Sequence, residues 1–189
     1  FKTKKGTLLD VGANDGTTFS NSRALLEMGW SGVLFEPTPT AFEKLNDLYK
    51  EKPFAHCVNA ALSSTTGELD FYESGEHLKK GDSGLLSTLK ESETKRWIES
   101  GEEFTKTKVE CISWIDFLEI SPFRFFDFIS IDVEGMELEI LAQMDLKELC
   151  CKMICVEWNG KNYDEFCSVI NNFGLALVHK NPENLIFAL

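Results

Sequence analysis

The sequence lacks Cys-x-x-Cys pairs, and it has no apolar run long enough to cross a membrane. We therefore expect neither a zinc site of the usual spacing nor a membrane-inserted segment. The six cysteines are scattered, and a domain of this size does not need a disulfide framework, so we expect free thiols in a reducing compartment, the cytoplasm. The first residues do not form a secretory signal peptide, and the start at Phe1 instead of Met indicates a domain taken from a longer protein.

Basic residues are scarce as well. Only 19 Lys and Arg stand against 31 Asp and Glu, which gives a formal net charge of −12. Proteins that bind DNA or long RNA usually present a basic surface, so we expect no nucleic-acid partner. Solubility alone also explains a negative charge. The 189 residues, 43% of them hydrophobic, are enough for one globular domain with a sizeable core.

Apolar segments of strand length alternate with segments of helical periodicity. This alternation is typical of a parallel sheet covered by helices. We predict an α/β, Rossmann-like fold in which residues 1–189 form a single domain. Its sheet has seven strands, mostly parallel, with helices on both faces and an antiparallel last strand at the edge. The predicted strands are 7–11, 32–36, 54–60, 126–133, 152–158, 175–179 and 184–189, with short extended segments at 69–73 and 109–112, and the predicted helices are 18–28, 40–50, 114–118, 134–144 and 163–173.

One long polar segment interrupts this pattern. Residues 74–106 are rich in Gly, Ser, Lys and Glu, with a helix-like piece near 89–100. A connection of this length between core elements is more often functional than idle. We therefore predict an inserted flap or lid at about 74–106, on which His77 is a candidate base.

The most informative segment joins the first predicted strand to a glycine-containing turn. Asp10 ends the apolar strand, and the turn Gly12–Gly16 follows, with Asn14 and Asp15 between its glycines. Glycine lets the backbone approach a nucleotide-like ligand, but carboxylates beside it suit a cation or hydroxyl groups better than a phosphate. We therefore predict an adenosyl ligand without phosphates, S-adenosylmethionine, held by this turn and by Ser20 at the start of the next helix.

Polar or small residues also end the next two strands. Glu36 ends the second strand, where a carboxylate can accept hydrogen bonds from both ribose hydroxyls of an adenosine. The alternative is a solvent-facing Glu before the turn at Pro37. Asn59, Ala60 and Ala61 end the third strand and can form a shelf for the adenine, although core packing explains the alanines almost as well.

Carboxylates end the fourth and fifth strands. Asp132 follows a fully apolar strand and is costly to bury without a partner, and Glu157 ends the next strand in the same way. Glu134 opens a helix, where an acid also opposes the helix dipole, so capping is an alternative for it. We predict that Asp132 deprotonates an acceptor hydroxyl, with Glu134 and Glu157 assisting. The same carboxylates can hold a divalent cation, and the identity of any metal stays open.

Together these motifs resemble the FkbM family of S-adenosylmethionine-dependent methyltransferases. The resemblance extends over about residues 7–160 and implies a Rossmann-like methyltransferase domain. It also implies O-methylation of hydroxyls on sugars, glycans or polyketide-type natural products. It rests on Asp10–Gly16, Phe35-Glu36-Pro37, Asn59-Ala60-Ala61-Leu62 and Ile131–Glu137.

The resemblance implies roles for particular residues. Gly12–Gly16 would hold the methionine half of the cofactor, Glu36 the ribose, and Asn59–Leu62 the adenine. Asp132 and Glu134 match the acidic motif nearest the reacting centre.

On the acceptor side, the segment Asp82-Ser83-Gly84…Ser87-Thr88-Leu89 looks like the family's Ser-rich loop. This chain departs from the family at Ser130, where many relatives have a Lys that could tune the acidic pair.

Other functions stay open at this point. A methyltransferase for nucleic-acid bases would usually carry an Asn/Asp-Pro-Pro-aromatic motif, where this chain has Asp132-Val133-Glu134-Gly135. An NAD-dependent oxidoreductase would favour the GxGxxG motif, which is absent. Another small-molecule acceptor, or a non-catalytic Rossmann-like binding module, is also an alternative. Several uncompensated acids at one sheet edge argue against the last of these.

Overall fold

A computed structural model describes residues 5–79 and 84–189, which form a seven-stranded and a three-stranded sheet. The strands are β1 (Thr7–Val11), β2 (Ser31–Phe35), β3 (Ala55–Val58), β4 (Ala61–Ser63), β5 (Gly67–Ser74), β6 (Phe104–Ser113), β7 (Phe128–Ile131), β8 (Met153–Glu157), β9 (Ala176–Lys180) and β10 (Asn184–Ala188). The helices are α1 (Arg23–Glu27), α2 (Pro39–Tyr49), α3 (Glu91–Ile98), α4 (Trp114–Ile120), α5 (Glu137–Leu141) and α6 (Tyr163–Asn171).

Helices cover both faces of the large sheet, as predicted. Side chains alternate between the faces of a strand, so the near-continuous apolar sequence of β1 supplies two cores. On one face Leu9 lies in a cluster with Phe117 of α4 and Ile140 of α5. On the other face Leu8 lies in a cluster with Leu45 of α2. Burial on both faces holds the end of β1, and the turn that follows it, in a fixed position.

The strand order of the large sheet is β3-β2-β1-β7-β8-β10-β9. The pairs among β3, β2, β1, β7 and β8 are parallel. From β1 the chain first continues towards β3 and later returns on the other side through β7, so the strand order reverses between β1 and β7. Ligands of such sheets bind beside the carboxyl ends of the strands at this switch point. The Rossmann-like, mostly parallel seven-stranded prediction is confirmed.

The last strand, β10, is antiparallel, as predicted, but its place at the sheet edge was predicted wrongly. It lies between β8 and β9 and pairs antiparallel with both. The reason is burial: Leu185 and Phe187 of β10 are fully buried, whereas Val178 of β9 is 60% exposed. The more polar β9 therefore occupies the edge, where one side of a strand faces solvent.

The predicted third strand, residues 54–60, corresponds to β3, and the structure adds a separate strand directly after it in the small sheet. β3 ends at Val58, and β4 begins at Ala61 and pairs with β6 in the small sheet. β5 and β6 form a long antiparallel pair, and the connection between them lies within the segment 74–106, which we call the flap segment or flap. The helix predicted near 89–100 is the shorter α3.

The helix predicted from residue 18 begins only at Arg23. The Asp15 carboxylate accepts hydrogen bonds from the backbone N–H groups and hydroxyls of Thr17 and Thr18. These bonds hold a turn in place of the first helical residues, because short polar side chains compete with helical hydrogen bonding.

No described helix is long and apolar enough to span a membrane. All six cysteines carry free thiols.

Candidate active site

A cleft of about 250 Å³ opens beside the carboxyl ends of β1, β2, β7 and β8. The switch point and the connection between β5 and β6 together form its walls. The predicted site residues that line it are Asp10, Gly12, Asn14, Ser20, Glu36, Pro37, Ala60, Ala61, Asp132, Glu134 and Glu157. Asp15, Gly16 and Asn59 do not line the cleft. They contact the turns that do, as described below for Gly16 and Asn59.

The turn after β1 brings the backbone close to the end of β7. Gly12 has φ +90°, and a Cβ there would collide with the backbone carbonyl oxygen of Asp132. The N–H groups of Gly12 and Ala13 both donate to the carbonyl of Phe35, at 3.0 and 2.9 Å. At Gly16 a Cβ would instead meet the side chain of Leu45 in α2. Gly12 thus allows the ends of β1, β2 and β7 to lie in contact. Gly16 allows the turn to pack against α2.

Asp10 is a buried carboxylate at the floor of the cleft. The hydroxyl of Ser22 donates to it at 2.5 Å. Burial raises the pKa of Asp10 to about 6, although hydrogen bonds from Ser22 and Ser130 oppose the rise. Asp10 therefore has the hydroxyl groups of Ser22 and Ser130 as its hydrogen-bond partners.

Glu36 organises the end of β2. Its carboxylate accepts the backbone N–H groups of Asn14 (2.8 Å) and Thr38 (2.7 Å). Burial raises its pKa to about 7, and these hydrogen bonds limit the rise. The Asn59 amide donates to the backbone carbonyls of Glu36 and Pro37, so Asn59 braces this strand end. The arrangement fixes the Glu36 carboxylate at the end of β2, beside the cleft.

Asp132, Glu134 and Glu157 meet at the ends of β7 and β8. They offer carboxylate oxygens within 4.8 Å of one another, close enough to hold one divalent cation. Burial raises the pKa of Asp132 and of Glu157, and neighbouring negative charges raise both further. Two close, buried carboxylates of this kind share a proton instead of both ionising.

The turn between β7 and α5 has an unusual backbone. Glu134 has φ +55° and Gly135 has φ +110°, so the predicted helix start at residue 134 is wrong and α5 begins at Glu137. The Glu137 carboxylate accepts the N–H groups of Val133 and Gly135. Glu137 was contained in the sequence motif, but its role in closing this turn was not predicted.

The flap supplies the opposite wall of the cleft. His77, Gly84 and Trp97 line it. Gly84 lies against the side chain of Thr38, two residues after Glu36, so the flap contacts the turn between β2 and α2. Of the predicted Ser-rich loop, Asp82 and Ser83 lie outside the described residues. His77 binds the Glu102 carboxylate through Nδ1 at 2.7 Å and lies edge-on to Trp97.

Sequence reasoning did not identify Arg96. Its guanidinium Nη2 lies 2.5 Å from Oε2 of Glu134. Its guanidinium carbon, Cζ, lies 4.7 Å from the centre of the Trp97 ring. Nothing in the local sequence marks it, because Arg96 sits on an amphipathic helix among other charged residues. It supplies a positive charge at the edge of the carboxylate group.

The raised carboxyl pKa values predict a pH dependence of stability. Protons bind more tightly to Asp10 and Glu36 in the folded than in the unfolded protein. The associated stability is therefore complete below about pH 4 and is lost as the pH rises through 6 to 7 and above. For Glu36, which shifts from 4.5 to about 7, the loss is up to about 3 kcal/mol by pH 8. We expect the unfolding temperature of the ligand-free protein to fall between pH 5 and pH 8.

Glu36→Gln should flatten this slope, whereas the exposed Glu43→Gln on α2 should leave it unchanged. Thermal unfolding followed by circular dichroism measures both. Equal slopes in Glu36→Gln and the unmodified protein would contradict the assignment.

Comparisons with known proteins agree with this geometry. Residues 10–180 match the model of a family described as the methyltransferase FkbM domain. The fold is similar to that of a methyltransferase FkbM from Methylobacillus flagellatus, with 13% identity and a TM-score of 0.60 over 98% of this chain and 44% of that chain. It is also similar to Aeropyrum pernix fibrillarin with bound S-adenosyl-L-methionine, with 11% identity and a TM-score of 0.54 over 100% of this chain and 69% of that chain. No curated protein sequence matches. At these identities the structural likeness establishes the fold, and the chain spans less than half of the Methylobacillus protein.

Proposed function

The chain belongs to the FkbM methyltransferase family, and we propose that it transfers a methyl group from S-adenosylmethionine to a hydroxyl of a carbohydrate, a glycan or a glycosylated natural product. One observation carries the proposal: Asp132 and Glu157, two neighbouring carboxylates at the ends of β7 and β8, line the same cleft as Glu36. In this proposal residues 1–189 form one catalytic domain with a flap. Such a domain can be part of a longer protein, as the matching part of the Methylobacillus methyltransferase is.

The chemistry of the cleft fits the cofactor. Acidic residues line it, and the described lining contains no Lys or Arg. A pyrophosphate would find no cationic partner there, whereas a sulfonium and an ammonium group are favoured by carboxylates. We assign the ribose to Glu36, the methionine half to the Gly12–Gly16 turn with Asp10 and Ser20, and the adenine to the region of Pro37, Ala60 and Ala61.

S-adenosylmethionine supplies an electrophilic methyl group when bound. A sugar hydroxyl is a weak nucleophile, so the chain must take up its proton as the new C–O bond forms. We assign this role to Asp132, with Glu157 holding the shared proton beside it. The rest of the rate enhancement comes from orienting the acceptor oxygen, which the flap wall at Trp97 would contact.

A direct test uses methyl-labelled S-adenosylmethionine with a panel of acceptors: neutral oligosaccharides, glycosylated natural products, RNA and a protein mixture. Transfer to a sugar hydroxyl supports the proposal. Transfer only to RNA or protein overturns the acceptor class. Parallel reactions with EDTA and with added Mg²⁺ decide whether a cation at the three carboxylates takes part.

The cofactor assignment predicts the behaviour of Glu36→Gln. Losing a charged acceptor for ribose hydroxyls should weaken S-adenosylhomocysteine binding about 10- to 100-fold in calorimetric titration. Glu43→Gln, on the exposed face of α2, should bind normally. An unchanged affinity in Glu36→Gln, or binding of NAD instead, would reject the assignment.

A further inference from the structure

Glu134 differs from Asp132 and Glu157 in what it contacts. Its side chain is 7% exposed, and the Arg96 guanidinium on α3 binds it. One oxygen of this carboxylate is therefore already held by a charge-assisted partner from α3. Its backbone is also in the left-handed region, which is uncommon for a residue with a long side chain.

The flap segment 88–96 contacts the Glu134–Gly135 turn at four points. The Thr88 hydroxyl donates to the carbonyl of Glu134 at 2.8 Å, and the Lys90 ammonium donates to that of Gly135 at 3.3 Å. The Cγ of Glu93 occupies the space beside Gly135, where a Cβ would lie only 2.5 Å away. The Arg96–Glu134 pair is the fourth contact and the only one between opposite charges. Two backbone carbonyls, the missing side chain of Gly135 and the Glu134 carboxylate thus all contact the flap.

Further contacts connect the Arg96–Glu134 pair to Trp97, the flap residue that lines the cleft. Arg96 covers one face of Trp97, and Trp97 lines the cleft. Lys161, in the loop after β8, binds Glu93 on the same helix at 2.8 Å. Thr88 is held to β5 by backbone hydrogen bonds with Tyr72. The N-terminal part of α3 is therefore held by other contacts, and the Arg96–Glu134 pair holds the turn of the helix that carries Trp97.

We propose that Glu134 is a positioning residue that acts through Arg96, holding α3 and the Trp97 wall against the cleft in which the acceptor binds. The acceptor part of this inference rests on the proposed function, whereas the attachment of α3 does not.

The first test needs no substrate. Amide hydrogen exchange of α3 is measured in the ligand-free protein for Glu134→Gln, Arg96→Met and the double variant. Each single variant should speed exchange in α3 about tenfold, and the double variant should be no faster than the single variants, because both break the same pair. Lys95→Met, which removes an exposed charge from the same helix, should leave exchange unchanged. Unchanged exchange in both single variants, or additive effects in the double, would overturn the proposal.

The second test uses kinetics with an acceptor that the labelling experiment has identified. Arg96→Met and Glu134→Gln should each raise the acceptor KM about tenfold, with kcat changed less than threefold and S-adenosylhomocysteine affinity unchanged. Arg96→Lys should recover part of the KM. A fall in kcat of a hundredfold or more in Glu134→Gln alone would identify Glu134 as the base and reject the positioning role. If no acceptor is methylated, the proposed function fails while the exchange experiment still decides the attachment of α3.

Discussion

Asp132→Asn should lower kcat by about 10²- to 10⁴-fold, the usual contribution of a general base. The amide keeps the size and hydrogen bonding of the side chain but cannot take up the acceptor proton. Because the pKa of Asp132 is raised by burial and by its acidic neighbours, the carboxylate is a stronger base than an exposed Asp. Single-turnover kinetics with labelled cofactor measures the loss.

Two controls make the result specific. S-adenosylhomocysteine titration of Asp132→Asn separates lost chemistry from lost binding, since Asp132 also lines the predicted cofactor cleft. Asp164→Asn, an exposed acid in the first turn of α6, should keep full activity. A kcat within threefold of the unmodified enzyme in Asp132→Asn would remove Asp132 from catalysis and leave Glu157 as the base to test.

Gly12→Ala should abolish cofactor binding and destabilise the fold by about 2–5 kcal/mol. The added methyl group would meet the carbonyl oxygen of Asp132 in a backbone conformation of φ +90°. The neighbouring atom belongs to the main chain of a buried strand end, so it cannot rotate away. The turn after β1 would have to separate from the end of β7, which is where the proposed cofactor site lies.

Gly174→Ala is the matched control. Gly174 has nearly the same φ, +88°, but a Cβ there has no atom within 4 Å. Gly174→Ala should therefore lose only about 1 kcal/mol of stability, the strain of placing a residue with a Cβ at positive φ, and it should keep normal cofactor binding. Chemical denaturation and calorimetry measure both variants. Equal losses of stability would mean that backbone conformation alone, and not the contact with Asp132, explains the requirement for glycine at position 12.

Local sequence patterns predicted the parts of the site that lie at strand ends. The apolar run into Asp10 places β1 at residues 7–11, and the runs into Glu36, Asp132 and Glu157 place those acids beside it. These predictions succeed because a strand buried on both faces is fixed by its own composition, and parallel strands bring their carboxyl ends to one edge.

The remaining features depend on contacts between distant segments. Arg96 pairs with Glu134 across 38 positions of sequence, and no periodicity marks such a pair. The strand β4, which begins at Ala61 directly after the predicted third strand, was not predicted, because it is defined by long-range pairing with β6. The late start of α1 follows from the side-chain bonds of Asp15, which compete locally with helix formation.

The position of β10 between β8 and β9 affects how the sheet is completed as the chain folds. β8, which carries Glu157, gains its second neighbour only from residues 184–188, which form the last strand of the sheet in chain order. Until then β8 presents an unpaired edge of apolar residues, the kind of surface that recruits other chains. A nascent or truncated chain ending before Asn184 would therefore be most exposed to aggregation at the strand that completes its candidate catalytic pair.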